Sequence, residues 1–213
     1  MSITKSNTRM LDGTIGASQL DDTLDLSSKT VTLPAASVEA HVSAGAIKQV
    51  VTHVETGITT FTQSSTERAD NLLLATSAAD GTSHVSATIT PTATTSKILI
   101  QVCVFYEGTG NANDYLWDIY RDSTKLGQPR AGNRGGGIAS QGLNYMNDQA
   151  STPETIYYQF VDTPASTSPI TYAAAYSITG TGGTLFLNRT VQDFDVVHYE
   201  RGVSSIVVME IAG

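Results

Sequence analysis

Charged residues and cysteine are both scarce in this sequence. Lys, Arg, Asp and Glu make up 15% of the 213 residues, whereas about 25% is usual for soluble domains. The single cysteine, Cys103, excludes an intrachain disulfide and suits a protein that matures in a reducing cytoplasm. It lies in the apolar run KILIQVCVF, so we expect it to be a small buried side chain.

The sequence also lacks long hydrophobic runs and an excess of positive charge. No segment approaches the roughly 18 continuous apolar residues of a membrane span, and the first residues lack an apolar signal core. We therefore expect neither membrane insertion nor Sec export. The net charge is -8 and the pI is near 4.8. Because a nucleic-acid binder needs a basic face that displaces counterions, we predict no nucleic-acid partner.

Aromatic residues are absent from the first 60 positions, and Phe61 is the first of them. Within residues 1–46, short polar or glycine stretches separate the few apolar side chains, with no helical or strand period running through them. Fully extended, such a segment reaches about 150 Å. We predict an extended N-terminal arm over residues 1–46 that anchors on other proteins. Its anchoring apolar residues would be Ile3, Met10, Leu11, Ile15, Leu20, Leu24, Leu26, Val31 and Leu33.

Residues 47–213 have the pattern of an all-β, antiparallel sandwich or barrel. Val85, Ala87 and Ile89 alternate with polar residues, and KILIQVCVF is apolar on both faces, which predicts a central strand. Turn residues recur about every 8–12 positions. Beyond residue 46 there are few lysines to protect sheet edges, which favours oligomerisation.

Three hairpins are predicted from neighbouring strand-like segments. AIKQVVTHV and GITTFTQ would pair across a turn near residues 55–57. YLWDIYRDSTKLGQ would fold back on itself at residues 122–124, and ETIYYQFVDTP would pair with SPITYAAAYSITG across residues 164–168. The segments GGTLFLNRT and SSIVVMEIAG would supply the last two strands.

Catalytic and metal-binding patterns are not found. The four histidines and one cysteine lack zinc-ligand spacing, and neither a nucleophile elbow nor a phosphate-binding loop is present. Asp193, Asp195 and Glu200 lie close in sequence but lack the glycine-centred calcium loop. We therefore predict that the protein is not an enzyme and has no metal or cofactor.

Two segments remain as candidate ligand contacts. Asp118 lies beside aromatic residues in NDYLWDIYRD, a combination found in sugar sites, although plain hairpin structure is the favoured interpretation of this segment. The segment QPRAGNRGGGIASQGLNYMNDQ places two arginines beside glycines and contains polar residues suited to a carboxylated glycan or an acidic partner. The alternative for that segment is a plain surface loop. Its candidate contact residues are Arg130, Arg134, Asn144 and Tyr145.

Most of the chain resembles short tail-fibre or virion appendage proteins of tailed bacteriophages. The similar segments are TSKILIQVCVF, YLWDIYRDSTKLGQ, YYQFVDTPASTSPITYAAAYSI, GGTLFLNRT and ERGVSSIVVMEIAG, with RMLDGTIGASQLDD and LDLSSKTVTLP in the arm. The resemblance implies a homotrimeric, non-enzymatic virion protein assembled in the bacterial cytoplasm. Its arm would dock on other virion proteins. Its jelly-roll-like head would project outward and contact the host surface, where a glycan is the candidate ligand.

Two other functions stay open at this point. One is a capsid-decoration protein, of the cement or head-fibre kind, that stabilises capsomers. The other is a polysaccharide depolymerase, but such enzymes usually carry β-helix repeats of fixed period, and the sequence contains no such period.

Overall fold

The chain divides into two units, Met1–Val42 and Ser43–Gly213. The predicted anchoring residues all belong to the first unit and lie outside the residues that the structure describes. Gly45 N donates to Ala212 O over 2.8 Å, so the second unit already begins before residue 47. The computed structural model describes residues 43–62, 72–73, 85–109, 115–129, 131–132, 134–141, 151–178 and 183–213.

The described residues form strands and no helix, so none of them belongs to a helix that could cross a membrane. The strands are β1 (Ile47–Glu55), β2 (Thr59–Thr62), β3 (Leu72–Leu73), β4 (Ser86–Ile89), β5 (Lys97–Thr109), β6 (Tyr115–Arg121), β7 (Thr124–Lys125), β8 (Ala139–Gln141), β9 (Glu154–Asp162), β10 (Ile170–Ser177), β11 (Thr184–Leu187) and β12 (Ser204–Ile211).

The first sheet is built around β5, the longest strand. β12 pairs with Lys97–Cys103 of β5, and β9 pairs with Ile98–Tyr106 on the opposite edge. β1 pairs with β12, while β11 joins the last residues of β5 and carries β2. All of these pairings are antiparallel. The predicted central position of KILIQVCVF is therefore confirmed.

The second sheet is built around β10 and β6. These two strands pair along Tyr172–Ser177, and β3 and β4 also pair with β10. β7 and β8 pair with successive parts of β6. The β6–β7 hairpin confirms the predicted turn at residues 122–124. Asp122 adopts φ 51° there, a left-handed conformation that Asp tolerates better than most residues because its short polar side chain bonds locally.

The core lies between the two sheets, because period-2 alternation places one apolar row of each strand inside. Ile100 and Val102 of β5 are fully buried against Trp117, Tyr172 and other aromatic residues of the second sheet. Burying each large side chain contributes about 1.5–3 kcal/mol. The structure confirms the predicted all-β class, an antiparallel, jelly-roll-like sandwich.

Two predicted hairpins are wrong. β1 pairs with β12, and β2 pairs with β11, so these neighbours in sequence are not partners. β9 and β10 lie in different sheets, because residues 163–169 carry the chain across the sandwich. The side-chain period of a strand specifies its two faces but not its partner, so proximity in sequence did not determine these pairings.

Candidate interaction surfaces

Asp118 is fully buried and bonded within the protein. Lys125 Nζ lies 2.8 Å from its Oδ2, and the Gly127 N–H donates to its Oδ1 over 2.9 Å. Burial raises the pKa of Asp118, and the bonds from Lys125, Ile119 and Gly127 oppose that rise. The carboxylate ties β6 to the loop that follows β7. The plain structural interpretation of Asp118 therefore fits its position, whereas a contact with an outside sugar does not.

Gly127 allows the loop to lie directly on that carboxylate. A Cβ at this position would come within 2.2 Å of Asp118 Oδ1, closer than any real van der Waals contact. Lys125 Nζ also donates to Gly136 O over 2.6 Å, which holds the glycine segment against the hairpin. Within the glycine segment itself, Gly136 also allows close packing, because a Cβ there would come within 2.2 Å of Gln128 O.

Of the four candidate contacts in that loop, the structure describes only Arg134. Its side chain is exposed, and its N–H donates to Ala131 O over 3.1 Å in a small turn. Arg130, Asn144 and Tyr145 lie outside the described residues. Arg134 and Asp118 do not share a surface, because Asp118 is covered.

A second buried carboxylate, Asp162, belongs to an ion pair at one end of the sandwich. Arg121 Nη1 donates to its two oxygens over 3.1 and 3.0 Å, and the Tyr172 hydroxyl donates to Oδ2 over 2.8 Å. Asp162 ends β9 in the first sheet, whereas its two partners are in the second. The group therefore joins the two sheets.

Glu107 and Glu210 connect loops to the first sheet. Glu107 accepts bonds from the Thr152 N–H at 3.0 Å and the Val191 N–H at 2.7 Å. Glu210 accepts bonds from Gln49, Thr92 and Ser96. Burial alone would raise the pKa of Glu210, but these hydrogen bonds outweigh it and lower the pKa to about 2. Both carboxylates are therefore structural acceptors.

An uncharged surface that is rich in apolar side chains lies on the outer face of the first sheet. Strand register aligns three rows of side chains that point away from the core, and none of them carries a formal charge. Val50, Val54, Tyr157 and Val161 at the two margins are each more than half exposed. We call the twelve residues of the three rows the outer sheet face. The rows are Val50–Met209–Leu99–Val161, Thr52–Val207–Gln101–Gln159 and Val54–Ser205–Cys103–Tyr157.

The position of Cys103 corrects one prediction from the sequence. Its side chain is half-buried and lies on the outer sheet face, not in the core. Sequence alone could not decide this, because KILIQVCVF is apolar at odd and even positions alike. Burial among the neighbouring side chains raises the pKa of the thiol, which fits a small apolar role within the face.

The segment from residue 191 to residue 203, between β11 and β12, forms a second exposed surface. Phe194 is 65% exposed and Val197 is 90% exposed. The rings of Phe194 and Tyr199 meet edge to face at 5.6 Å. Arg201 makes a two-pronged ion pair with Asp193 at 2.8 and 2.6 Å. These groups shape an open depression of about 290 Å³, lined by Asp193, Phe194, Asp195, Val196, Tyr199 and Arg201.

The sequence reasoning missed this depression. It considered the acidic residues here only as metal ligands, and the described part of the chain contains no group of three or more metal-ligating side chains. The sequence VQDFDVVHYER does place aromatic, apolar and charged residues in a segment without strand alternation. That combination is the feature that could have predicted an exposed apolar loop.

Comparison with known proteins identifies no family. No protein-family model matches the chain, and no curated protein matches it. Among solved structures, the chain is similar to the crystal structure of the infectious bursal disease virus VP2 subviral particle, at 15% sequence identity and a TM-score of 0.31. The matched region covers 76% of this chain and 41% of that one. The likeness is too distant to assign a family or a function.

Proposed function

We propose that this protein is a non-enzymatic structural component of a bacteriophage virion. Residues 1–46 anchor it to other virion proteins, and the sandwich of residues 47–213 projects outward as a homotrimeric knob. The resemblance to short tail fibres supports this proposal. On the structural side, the support comes from the described surfaces of the sandwich.

The observation that carries the proposal is the charge-free outer sheet face. Exposed surface patches that are rich in apolar side chains often mark interaction sites, and the face combines such side chains with the uncharged Thr52, Gln101, Gln159 and Ser205. Here the chain has a net charge of -8, yet twelve adjoining side chains on four strands carry no charge at all. Such a face is expected on a protein that functions within an assembly, where a partner covers it.

Four buried acidic groups have structural roles. Asp118, Asp162, Glu107 and Glu210 are all at least 90% buried, and each is bonded to groups that link strands or loops. A glycosidase needs two carboxyl groups that flank the scissile bond in an accessible site. None of these four carboxylates meets that requirement.

The depression beside Phe194 supports host-surface attachment as the more specific role. An exposed aromatic ring beside carboxylate and guanidinium groups can stack on a sugar ring and hydrogen-bond its hydroxyls. We therefore propose a tail-fibre position with the segment of residues 191–203 contacting a surface glycan. A capsid-decoration role is the alternative outcome of the particle experiment below.

The anchoring role is tested in the phage that carries the gene. Leu24→Asp with Leu26→Asp is compared with Ser27→Asp with Ser28→Asp, which adds the same charge at neighbouring polar positions. We expect the leucine variant to be lost from purified particles and the serine variant to remain. Normal occupancy of the leucine variant would contradict the anchoring role.

The position on the particle is tested with a labelled antibody and negative-stain images. Label at the tail supports attachment, and Phe194→Ser should then reduce adsorption to host cells. Label on the capsid, with normal adsorption and reduced capsid stability in a particle lacking the protein, would replace the tail-fibre role with decoration.

A further inference from the structure

The outer sheet face combines residues from four strands that are far apart in the sequence. Its rows run across β1, β12, β5 and β9, and each row ends in an exposed side chain at both margins. The first row, from Val50 through Met209 and Leu99 to Val161, is entirely apolar. The middle row contains a side-chain contact in which Gln101 Nε2 donates to Gln159 Oε1 over 3.3 Å. The face is thus a continuous uncharged sheet surface.

We propose that the outer sheet face is the surface through which this chain binds a second copy of itself. The inference rests on the proposed homotrimer and adds which surface of the chain its copies share. It places Val207 and Gln101 near the centre of the contact and the exposed valines of β1 at its margin.

The size of the face fits the core of a subunit interface. Four strands at about 4.8 Å spacing and three rows about 6.8 Å apart cover roughly 400 Å². A stable interface buries about 800 Å² on each partner, with an apolar core and a more polar rim. Ile47, the first residue of β1, and Val203, which precedes β12, are 58% and 54% exposed and lie beside the face. The row of Ile47 runs through Ile211 to the exposed Lys97 of β5, which places a charged residue at the rim.

Charge favours a second copy over an acidic or basic partner. Each chain carries a net charge of -8, so two copies that meet through most other surfaces bring carboxylates together. The outer sheet face contributes no such repulsion and offers no ion pair to a charged partner.

The edge of β9 gives a further reason for coverage by another copy. Among the described residues, β9 pairs only with β5, which leaves its other edge without a strand. Glu154–Asp162 contains no Lys, Pro or Gly, the residues that usually prevent edge-to-edge pairing. Tyr157 and Val161 are exposed on this same strand, so a copy packed on the face also shields the edge.

The mass of the purified full-length chain tests the inference. Light scattering and sedimentation should give at least twice 22.5 kDa, and three times that value for the proposed trimer. Val207→Lys should shift the mass to 22.5 kDa because it buries charge at the centre of the contact. Val197→Lys, at a valine that is 90% exposed outside the face, is the matched control and should leave the mass unchanged.

Labelling of Cys103 tests the same contact without a mutation. Because it is the only cysteine and lies on the face, a maleimide should react at least tenfold more slowly at concentrations where the chain is associated. Circular dichroism checks that Val207→Lys is folded. The inference would be overturned if the wild-type mass were 22.5 kDa and the labelling rate did not change with concentration up to about 0.1 mM. It would also be overturned by an oligomer in which Cys103 is labelled at the monomer rate.

The outcomes separate this inference from the proposed function. A monomeric chain that is still incorporated into particles would overturn the contact between copies and the proposed trimer but not the virion role, and would leave another virion protein as the occupant of the face. A stable oligomer that is absent from particles would overturn only the virion role.

Discussion

Replacing Glu210 with glutamine would remove a charge without changing the size of the side chain. Glu210 is fully buried near the end of β12. Its Oε1 accepts bonds from the Thr92 N–H, the Thr92 hydroxyl and the Ser96 hydroxyl, and its Oε2 accepts one from Gln49. All four partners are donors in this arrangement. A glutamine amide nitrogen at either position would face a donor and lose at least one bond.

The pKa of Glu210 sets the magnitude of the effect. The hydrogen bonds lower this pKa from 4.5 to about 2, and each unit corresponds to about 1.4 kcal/mol. The carboxylate therefore contributes about 3 kcal/mol to the free energy of unfolding. Because the pKa is depressed in the folded state, the contribution is complete above pH 4.5 and is lost as the pH falls from about 4.5 to about 2.

Urea unfolding at pH 7 and at pH 2.5 measures the contribution. With a slope of about 2 kcal/mol per M, Glu210→Gln should lower the midpoint by roughly 1–2 M at pH 7 and by much less at pH 2.5. Glu200→Gln is the matched control, since Glu200 is exposed and its loss should change the midpoint little. All variants are compared at one protein concentration because association raises apparent stability. Equal midpoints at pH 7, or a difference that persists in full at pH 2.5, would refute the reasoning.

Two further substitutions test the interior of the sandwich by the same assay. Tyr115→Phe should leave the free energy of unfolding unchanged or raise it by about 1 kcal/mol, because the buried Tyr115 hydroxyl has no hydrogen-bond partner among the described residues. A decrease of more than about 1 kcal/mol would show that the hydroxyl is bonded. Lys125→Met should lower the free energy of unfolding by about 3 kcal/mol at pH 7, since Asp118 would remain buried without its ion-pair partner. Adding Asp118→Asn to Lys125→Met should recover part of that loss, and a larger loss in the double variant would contradict the pairing.

The candidate contacts show why a ligand site was hard to predict. Acidic and aromatic neighbours suggested a sugar contact at Asp118, but a loop nine residues further along bonds to its carboxylate. Whether a strand residue is covered depends on which segments return over it, and that is not encoded near the residue itself. The depression beside Phe194 was missed for the converse reason, because an irregular segment carries no period that predicts what it leaves exposed.

Local sequence was sufficient to predict most of the strands and one tight turn, whereas the short strands β3 and β8 were not predicted. The alternation at Val85, Ala87 and Ile89 predicted an inward row, and these residues are buried as expected. The turn after Arg121 was equally local, since it needs only residues that tolerate its backbone angles. These features depend on side-chain period and steric preference, which act between residues close in sequence.

Tertiary structure alone decided which strands are partners and which side of β5 faces the core. β9 leaves its neighbour β10 and pairs with β5, so Cys103 and Tyr157 meet on the outside of the sandwich. The outer sheet face exists only because β1, β5, β9 and β12 align in register although they are far apart in the chain. Period-2 alternation specifies two faces for each strand, but competition among distant strands for a matched apolar surface selects the partner and the buried side.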